Sequence, residues 1–300
     1  YYSQYYPEIF TNQTRWIIEN KDELNIAFVL HEGDIVQVAD DIEQYKRANA
    51  SLSLLDNVVP YVLAFGNHDY NYKIRDSTLF NTFFPATRYE NISLSGTFEH
   101  GKIDNSYHTF SIGNLNLLVI SLEYEPRDEV LKWANIIVYN HSTTPTIILT
   151  HAPPRSGTFF NPGPSNESSK HGIWDKFLRF HKNIYFVFYG HLHYADKKIT
   201  LGDSGNKVYH ILANYQESFE TKSGLLRIVN FNLAQDKVSF KTYSPYHNYF
   251  SMNPDNNFEV QNINLRSIDS SPNPLSNMHS ASNKPPGVHA GYDKTFNLDE

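Results

Sequence analysis

Four apolar, strand-like runs in this 300-residue chain each stop at a short turn that carries oxygen or imidazole side chains. Residues 26–31 run into Gly33-Asp34, and residues 58–65 into Gly66-Asn67-His68-Asp69. Thr146–Thr150 runs into His151, and Ile184–Tyr189 into Gly190-His191-Leu192-His193. The stretches between carry helical signals. Residues 7–24 space Phe10, Ile17 and Leu24 for one face, and residues 41–56, 127–140 and 173–181 read as further helices. Strand, turn, helix, strand is the rhythm of a layered α/β fold. Open sheets of that kind place their sites beyond the strand ends, so the four turns are expected to converge.

Other segments complete the outline. Residues 107–112 and Leu115–Leu122 read as a hairpin closed by Gly113-Asn114. Residues 157–170, rich in Gly, Pro, Ser and Asn, read as a loop. Past Thr200 only strand signals remain, at Lys207–Ala213, residues 224–232 and residues 237–243. Residues 1–265 thus read as one domain, 266–286 as a Ser/Asn/Pro-rich linker and 287–300 as the start of a further β-rich repeat.

Composition limits the chemistry. Apolar residues make up 40% of the chain, enough for a sizeable core. The net charge is −7 and no long Lys/Arg cluster occurs, which argues against a surface that grips nucleic acid. Phosphate affinity must then come from bound metal. There is no cysteine, so disulfides and thiolate sites are excluded and His, Asp, Glu and Asn are the available ligands. No apolar run reaches the roughly 18 residues of a membrane span.

Taken singly, Gly33-Asp34 reads as an ordinary turn and His151 as a packed histidine. In order, at four strand ends, the motifs form a constellation. Two cations about 3.5–4 Å apart clamp the attacking and leaving oxygens of an in-line displacement at phosphorus. Asp34 suits the bridging position between them. Asn67 adds a neutral oxygen, and His151, His191 and His193 supply imidazoles suited to Mn, Fe or Zn. His191 and His193, two residues apart, point the same way on an extended segment. His68, beside a committed ligand, is placed to protonate a leaving alkoxide, and Asp69 to hold the His68 ring. Arg155 reads equally well as a phosphate contact or as a surface loop cation. Tyr70, Tyr72 and Tyr194 flank the motifs. His31, His100, His108, His171 and His181 lack a ligand-like context.

At these residues the chain resembles the calcineurin-like metallophosphoesterase superfamily, which includes purple acid phosphatases. The resemblance covers residues 1–265. It implies a four-layer α/β/β/α sandwich of two mixed sheets and a dinuclear centre of divalent or trivalent ions. Asp34 would bridge the metals, Asn67, His151 and His191 would hold one, and His193 the other. A metal-activated hydroxide would attack a small phosphoester, with His68 as acid. The superfamily's first block, Asp-x-His or Asp-x-Gln, does not occur ahead of Gly33-Asp34. Tyr1-Tyr2-Ser3 therefore reads as the residue of a chain cut just after that block, without the first strand and weak or inactive alone.

Residues 283–300 resemble the opening of immunoglobulin-like surface repeats of the polycystic-kidney-disease type. That implies further domains and an extracellular or cell-surface parent. Asn-x-Ser/Thr sites at Asn12, Asn91, Asn140 and Asn166 are compatible with this location. The competing expectation is a non-catalytic binding or adhesion module on a degenerate phosphoesterase fold.

Overall fold

The computed structural model describes residues 1–71, 74–90, 92–153, 172–216 and 224–266, and the backbone of 289–290 and 294–295. Its helices are α1 (Tyr2–Tyr5), α2 (Pro7–Glu19), α3 (Ile42–Leu52), α4 (Thr78–Phe83), α5 (Asp128–Asn140) and α6 (Ile173–Lys176). Strands β1 (Val29–His31) and β2 (Tyr61–Leu63) form a parallel pair. The next strands are β3 (Leu94–Thr97), β4 (Ser106–Ile112), β5 (Leu115–Leu122), β6 (Thr146–Thr150), β7 (Ile184–Tyr189), β8 (Ala195–Leu201) and β9 (Lys207–Ala213). They belong to one large mixed sheet. A second sheet holds β10 (Leu226–Asn232), β11 (Lys237–Ser244), β12 (Tyr249–Phe250) and β13 (Phe258–Gln261). Strands β14 (His289–Ala290) and β15 (Lys294–Thr295) add to the large sheet beside β3, so its order is β15-β14-β3-β4-β5-β6-β7-β9-β8. The expected linker lies almost wholly outside the described residues.

Strand parity sorts the core into layers. Successive side chains on a strand face opposite ways. On β5, Leu118, Ile120 and Leu122 join one cluster with α5, while Leu117 and Val119 join another with the second sheet. Strand β7 divides the same way, Val187 and Tyr189 against Phe186 and Phe188. Both faces are covered, which is why these strands read as unbroken apolar runs. On β2, Tyr61 and Leu63 pack with residues of α2 and α3, while Val62 faces the central cluster. The order is helix, sheet, sheet, helix, as the resemblance implied. Ile263 and Leu265 are buried in the central cluster.

Local chemistry explains most element ends. Asp41 caps α3, its Oδ1 accepting the Glu43 and Gln44 amides at 2.9 and 3.2 Å. Asp128 and Glu129 sit in the first turn of α5, where they complement its dipole. The β4–β5 hairpin closes at Gly113, whose φ of +59° a two-residue turn requires. The helix expected over 173–181 instead breaks at Phe177 into one turn of α-helix and a short 3-10 turn, Leu178–Phe180. Phe177 and Leu178 are both fully buried, and adjacent positions on a straight helix point about 100° apart.

Between β1 and β10 lies a cavity of about 650 Å³ lined by Phe28, Leu30, Phe110, Ile147, Phe188 and Val229. Among the described residues β1 pairs only with β2, and β10 only with β11. Two unpaired strand edges therefore border this cavity. It also reaches Asp34, His151 and His191.

Candidate metal centre

The turn after β1 carries Gly33 at φ +92° and Asp34 at φ +52°. A β-carbon on Gly33 would lie 2.9 Å from Nδ1 of His151 and 3.0 Å from the Gly66 amide nitrogen. Only glycine permits that approach in that conformation. Asp34 tolerates the left-handed region better than most residues because its short side chain bonds locally. Its Oδ1 accepts the His68 amide at 3.0 Å.

The turn after β2 is joined to the Asp34 turn by Asp69. One carboxylate oxygen of Asp69 accepts the Val36 amide at 3.0 Å and the other the Gly66 amide at 2.9 Å. Tyr45 donates its hydroxyl to the Asp69 carbonyl at 2.6 Å. Asp69 was expected to orient His68. With one main-chain amide on each oxygen, the carboxylate staples the two ligand turns instead, and the His68 ring bonds the Gln37 carbonyl at 2.8 Å.

The remaining turns deliver two imidazoles. His151, 2% exposed, donates from Nδ1 to the Glu32 carbonyl at 2.7 Å. That bond leaves Nε2 to face Asp34 Oδ2 at 3.1 Å. Gly190 donates its amide to the His151 carbonyl at 2.9 Å, tying the β7 turn to the β6 turn. His191, at φ +64°, then brings Nδ1 to 3.2 Å from Nε2 of His151. One ligand atom from each of Asp34, His151 and His191 lies within 4.8 Å of the others.

The arrangement fits a cation. The Asn67 side-chain Oδ1 is buried without a hydrogen-bond partner among the described residues. Such an orphan costs about 1–3 kcal/mol unless something electropositive meets it. The His151 Nδ1 bond to a main-chain carbonyl is the support a metal-ligating histidine uses to present its other nitrogen. The electrostatics agree at Asp34 and His191; at His151 burial disfavours the charged ring, but the Asp34 charge and hydrogen bond raise its pKa. Burial alone would push the Asp34 carboxyl up, but the charges and hydrogen bonds of His151 and His68 hold it well below the carboxylate range. Burial and the nearby Asp34 charge push Asp69 up. Burial lowers His191 to about 4, with His151 adding repulsion, so its ring stays neutral. Neutral imidazole and ionised carboxylate are the forms that bind metal.

His193 is exposed and outside the Asp34–His151–His191 group. Arg155 and Tyr72 lie outside the described residues. Tyr70 is buried against Phe65, and Tyr194 is 42% exposed. Two contributors escaped the motif reading. Tyr124 sets its ring 5.4 Å from His191 and 6.0 Å from His151, centroid to centroid. It follows the end of β5, so the strand-end rule extended to that strand finds it. Gln37 carries no sequence signal, since it acts through its main-chain carbonyl.

The Calcineurin-like phosphoesterase family matches residues 7–195. The chain belongs to this family. A relative from Bacillus subtilis (strain 168), the uncharacterized protein YvnB, is 32% identical over 255 residues, which cover 82% of this chain. The phosphoesterase chain spans only 19% of that relative's length. Among solved structures, purple acid phosphatase PPD1 from yellow lupin (Lupinus luteus) superposes with a TM-score of 0.54 at 14% identity. That match covers 84% of this chain and 49% of the lupin protein, and it shows the shared fold. Family and fold are those of metal-dependent phosphoesterases. Among the described residues no helix is long and apolar enough to cross a membrane.

Proposed function

We propose that this chain hydrolyses phosphoester bonds at the centre built by Asp34, Asn67, His151 and His191. The convergence of Asp34, His151 and His191 from three separate turns carries the reading. Bound metal would supply Lewis acidity to the phosphoryl oxygen and lower the pKa of the attacking water. The ligands set how it is held. Asp34 offers charge, Asn67 a neutral oxygen, and His151 an imidazole fixed by Glu32. His68 supplies the proton. Its main-chain amide is pinned to Asp34, and Nδ1 is engaged by Gln37, so Nε2 serves the leaving oxygen. As the P–O bond breaks, that oxygen keeps the electron pair and takes the Nε2 proton of the doubly protonated ring, which leaves the neutral Nδ1–H form bonded to Gln37.

The reading includes a second ion, which Asp34 and His193 would help to hold. Two protein ligands are too few for a firmly held catalytic ion. The cavity between the β1 and β10 edges opens onto Asp34, which supports the expectation that a further strand bearing the first block fits there.

The test is metal analysis with a panel of phosphomonoesters and phosphodiesters, run on this chain and on Asp34→Asn. Metal-dependent turnover that Asp34→Asn abolishes supports the assignment. Tight metal binding without turnover, in this chain and in one extended N-terminally, would favour the non-catalytic module.

A further inference from the structure

The Nδ1 atom of His68 lies 2.8 Å from the main-chain oxygen of Gln37. The Gln37 side-chain amide is farther off, at 3.3 Å. A carbonyl oxygen only accepts, so Nδ1 carries one proton; Nε2 is left to give up the ring's second proton, and the neutral ring that remains is the Nδ1–H tautomer. The same peptide unit ends in the Val38 amide, and a peptide unit is a rigid plane. Val38 donates that amide to Oε1 of Gln44 at 3.2 Å, and Gln37 donates its own amide to the same oxygen at 2.7 Å. Within one peptide plane the N–H and C=O point opposite ways. Anchoring the Val38 N–H on α3 therefore aims the Gln37 carbonyl at His68, and the chained bonds polarise it.

Gln44 is itself fixed. It is 1% exposed, and its Nε2 donates to Oδ2 of Asp41 at 2.8 Å. The other oxygen of Asp41 caps α3. Every polar atom of the buried amide is thus engaged, and its orientation is set by its partners.

We propose that Gln44 is the positioning residue for His68, acting through the Gln37–Val38 peptide to set the ring's tautomer and direction. The proposal rests on the reading of His68 as proton donor and adds the helix residue that fixes the Nδ1–H form left when Nε2 gives up its proton.

Nitrogen NMR of the metal-free chain reads the tautomer directly, and steady-state kinetics read its consequence. In Gln44→Ala the Nδ1–H form of His68 is expected to lose its dominance. kcat is expected to fall about tenfold, with KM and metal content unchanged. Because that variant leaves two amides unpaired, a second one guards against misfolding. Asp41→Asn combined with Gln44→Glu exchanges donor and acceptor but keeps the cap, the buried bond and the acceptor for both amides. It is expected to restore tautomer and kcat together. A His68 ring unchanged in Gln44→Ala, or unrestored in the double variant, overturns the proposal. If neither this chain nor one extended N-terminally hydrolyses a phosphoester, the proposed function fails, and the ring signal alone still decides the role of Gln44.

Discussion

Gly66 lies so close to Asp34 that a β-carbon on residue 66 would overlap the Asp34 carboxylate. The glycine is therefore what lets the second turn deliver Asn67 and His68 beside Asp34. Gly66→Ala is expected to displace Asp34 or the whole turn. A shift near 1 Å at a reacting centre costs about 10²-fold in rate, so turnover should fall by at least that much with reduced metal content. Elemental analysis and phosphoester kinetics on the variant check this. Full metal content and activity in Gly66→Ala would show that the two turns separate freely.

Metal should stabilise the fold as well as activate it. The Asn67 oxygen and the crowded Asp34–His151–His191 group are poorly served without a cation. Saturating Mn or Zn at about 100 times its dissociation constant adds about 2.7 kcal/mol through mass action. Tm is expected to rise on metal addition and return with chelator. Asp34→Asn should show neither change, because the amide brings no charge while still fitting the left-handed backbone. An equal metal response in Asp34→Asn would place the cation elsewhere.

The sequence reading was strongest where burial on both faces leaves a continuous apolar run. Strands β5, β6 and β7 and the turns after β6 and β7 were legible for that reason. Strand β8 was missed because it is a sheet edge, where Ile199 and Leu201 are exposed among Asp196, Lys197 and Lys198. Strand β3 was missed because it is four residues long and carries Gly96 within a bulge. At the site, the side chains that the structure brings together at Asp34, His151 and His191 are legible in the motifs, and their support is not. Adjacency suggested that Asp69 serves His68, yet two main-chain amides compete for its carboxylate and win. Main-chain partners such as the Gln37 and Glu32 carbonyls leave no trace in residue type. The Gly-His-x-His segment brings His191 into the group with Asp34 and His151 and leaves His193 outside it. His191 takes a left-handed backbone, so the segment is not extended and two-residue spacing does not carry both rings to one point.

Three buried histidines away from the metal centre should make the fold acid-sensitive. Burial lowers His181 to about 4 and His108 and His210 to about 3. Each is held neutral by hydroxyl or amide partners, as in the 2.6 Å bond from His181 Nε2 to Asn135 Oδ1. The unfolded chain takes up these protons below its ordinary pKa near 6.5 while the folded chain does not. Stability is therefore lost as pH falls from 6.5 toward the folded values. For His181 the loss by pH 4 is on the order of 3 kcal/mol. Glu32 works the other way. Burial raises it to about 8 against the attraction of Arg227, so the folded state takes its proton first and gains stability as pH drops. The difference between parent and His181→Gln isolates the histidine. Urea unfolding from pH 7.5 to 4 should show a shallower acid decline in the variant, and parallel curves would exclude His181.

His68 should matter in proportion to the leaving group's need for a proton. His68→Asn keeps the main-chain amide that Asp34 accepts, so the ligand turns and metal content should persist. An alkoxide leaves poorly without protonation, and losing a positioned acid costs about 10²–10⁴ in rate. Nitrophenolate leaves without help, so the same variant should turn over a nitrophenyl phosphoester with a much smaller loss. The comparison is made as kcat on an alkyl and a nitrophenyl ester at matched metal occupancy. Equal losses on both would remove His68 from proton donation and give it a purely structural place beside Asn67.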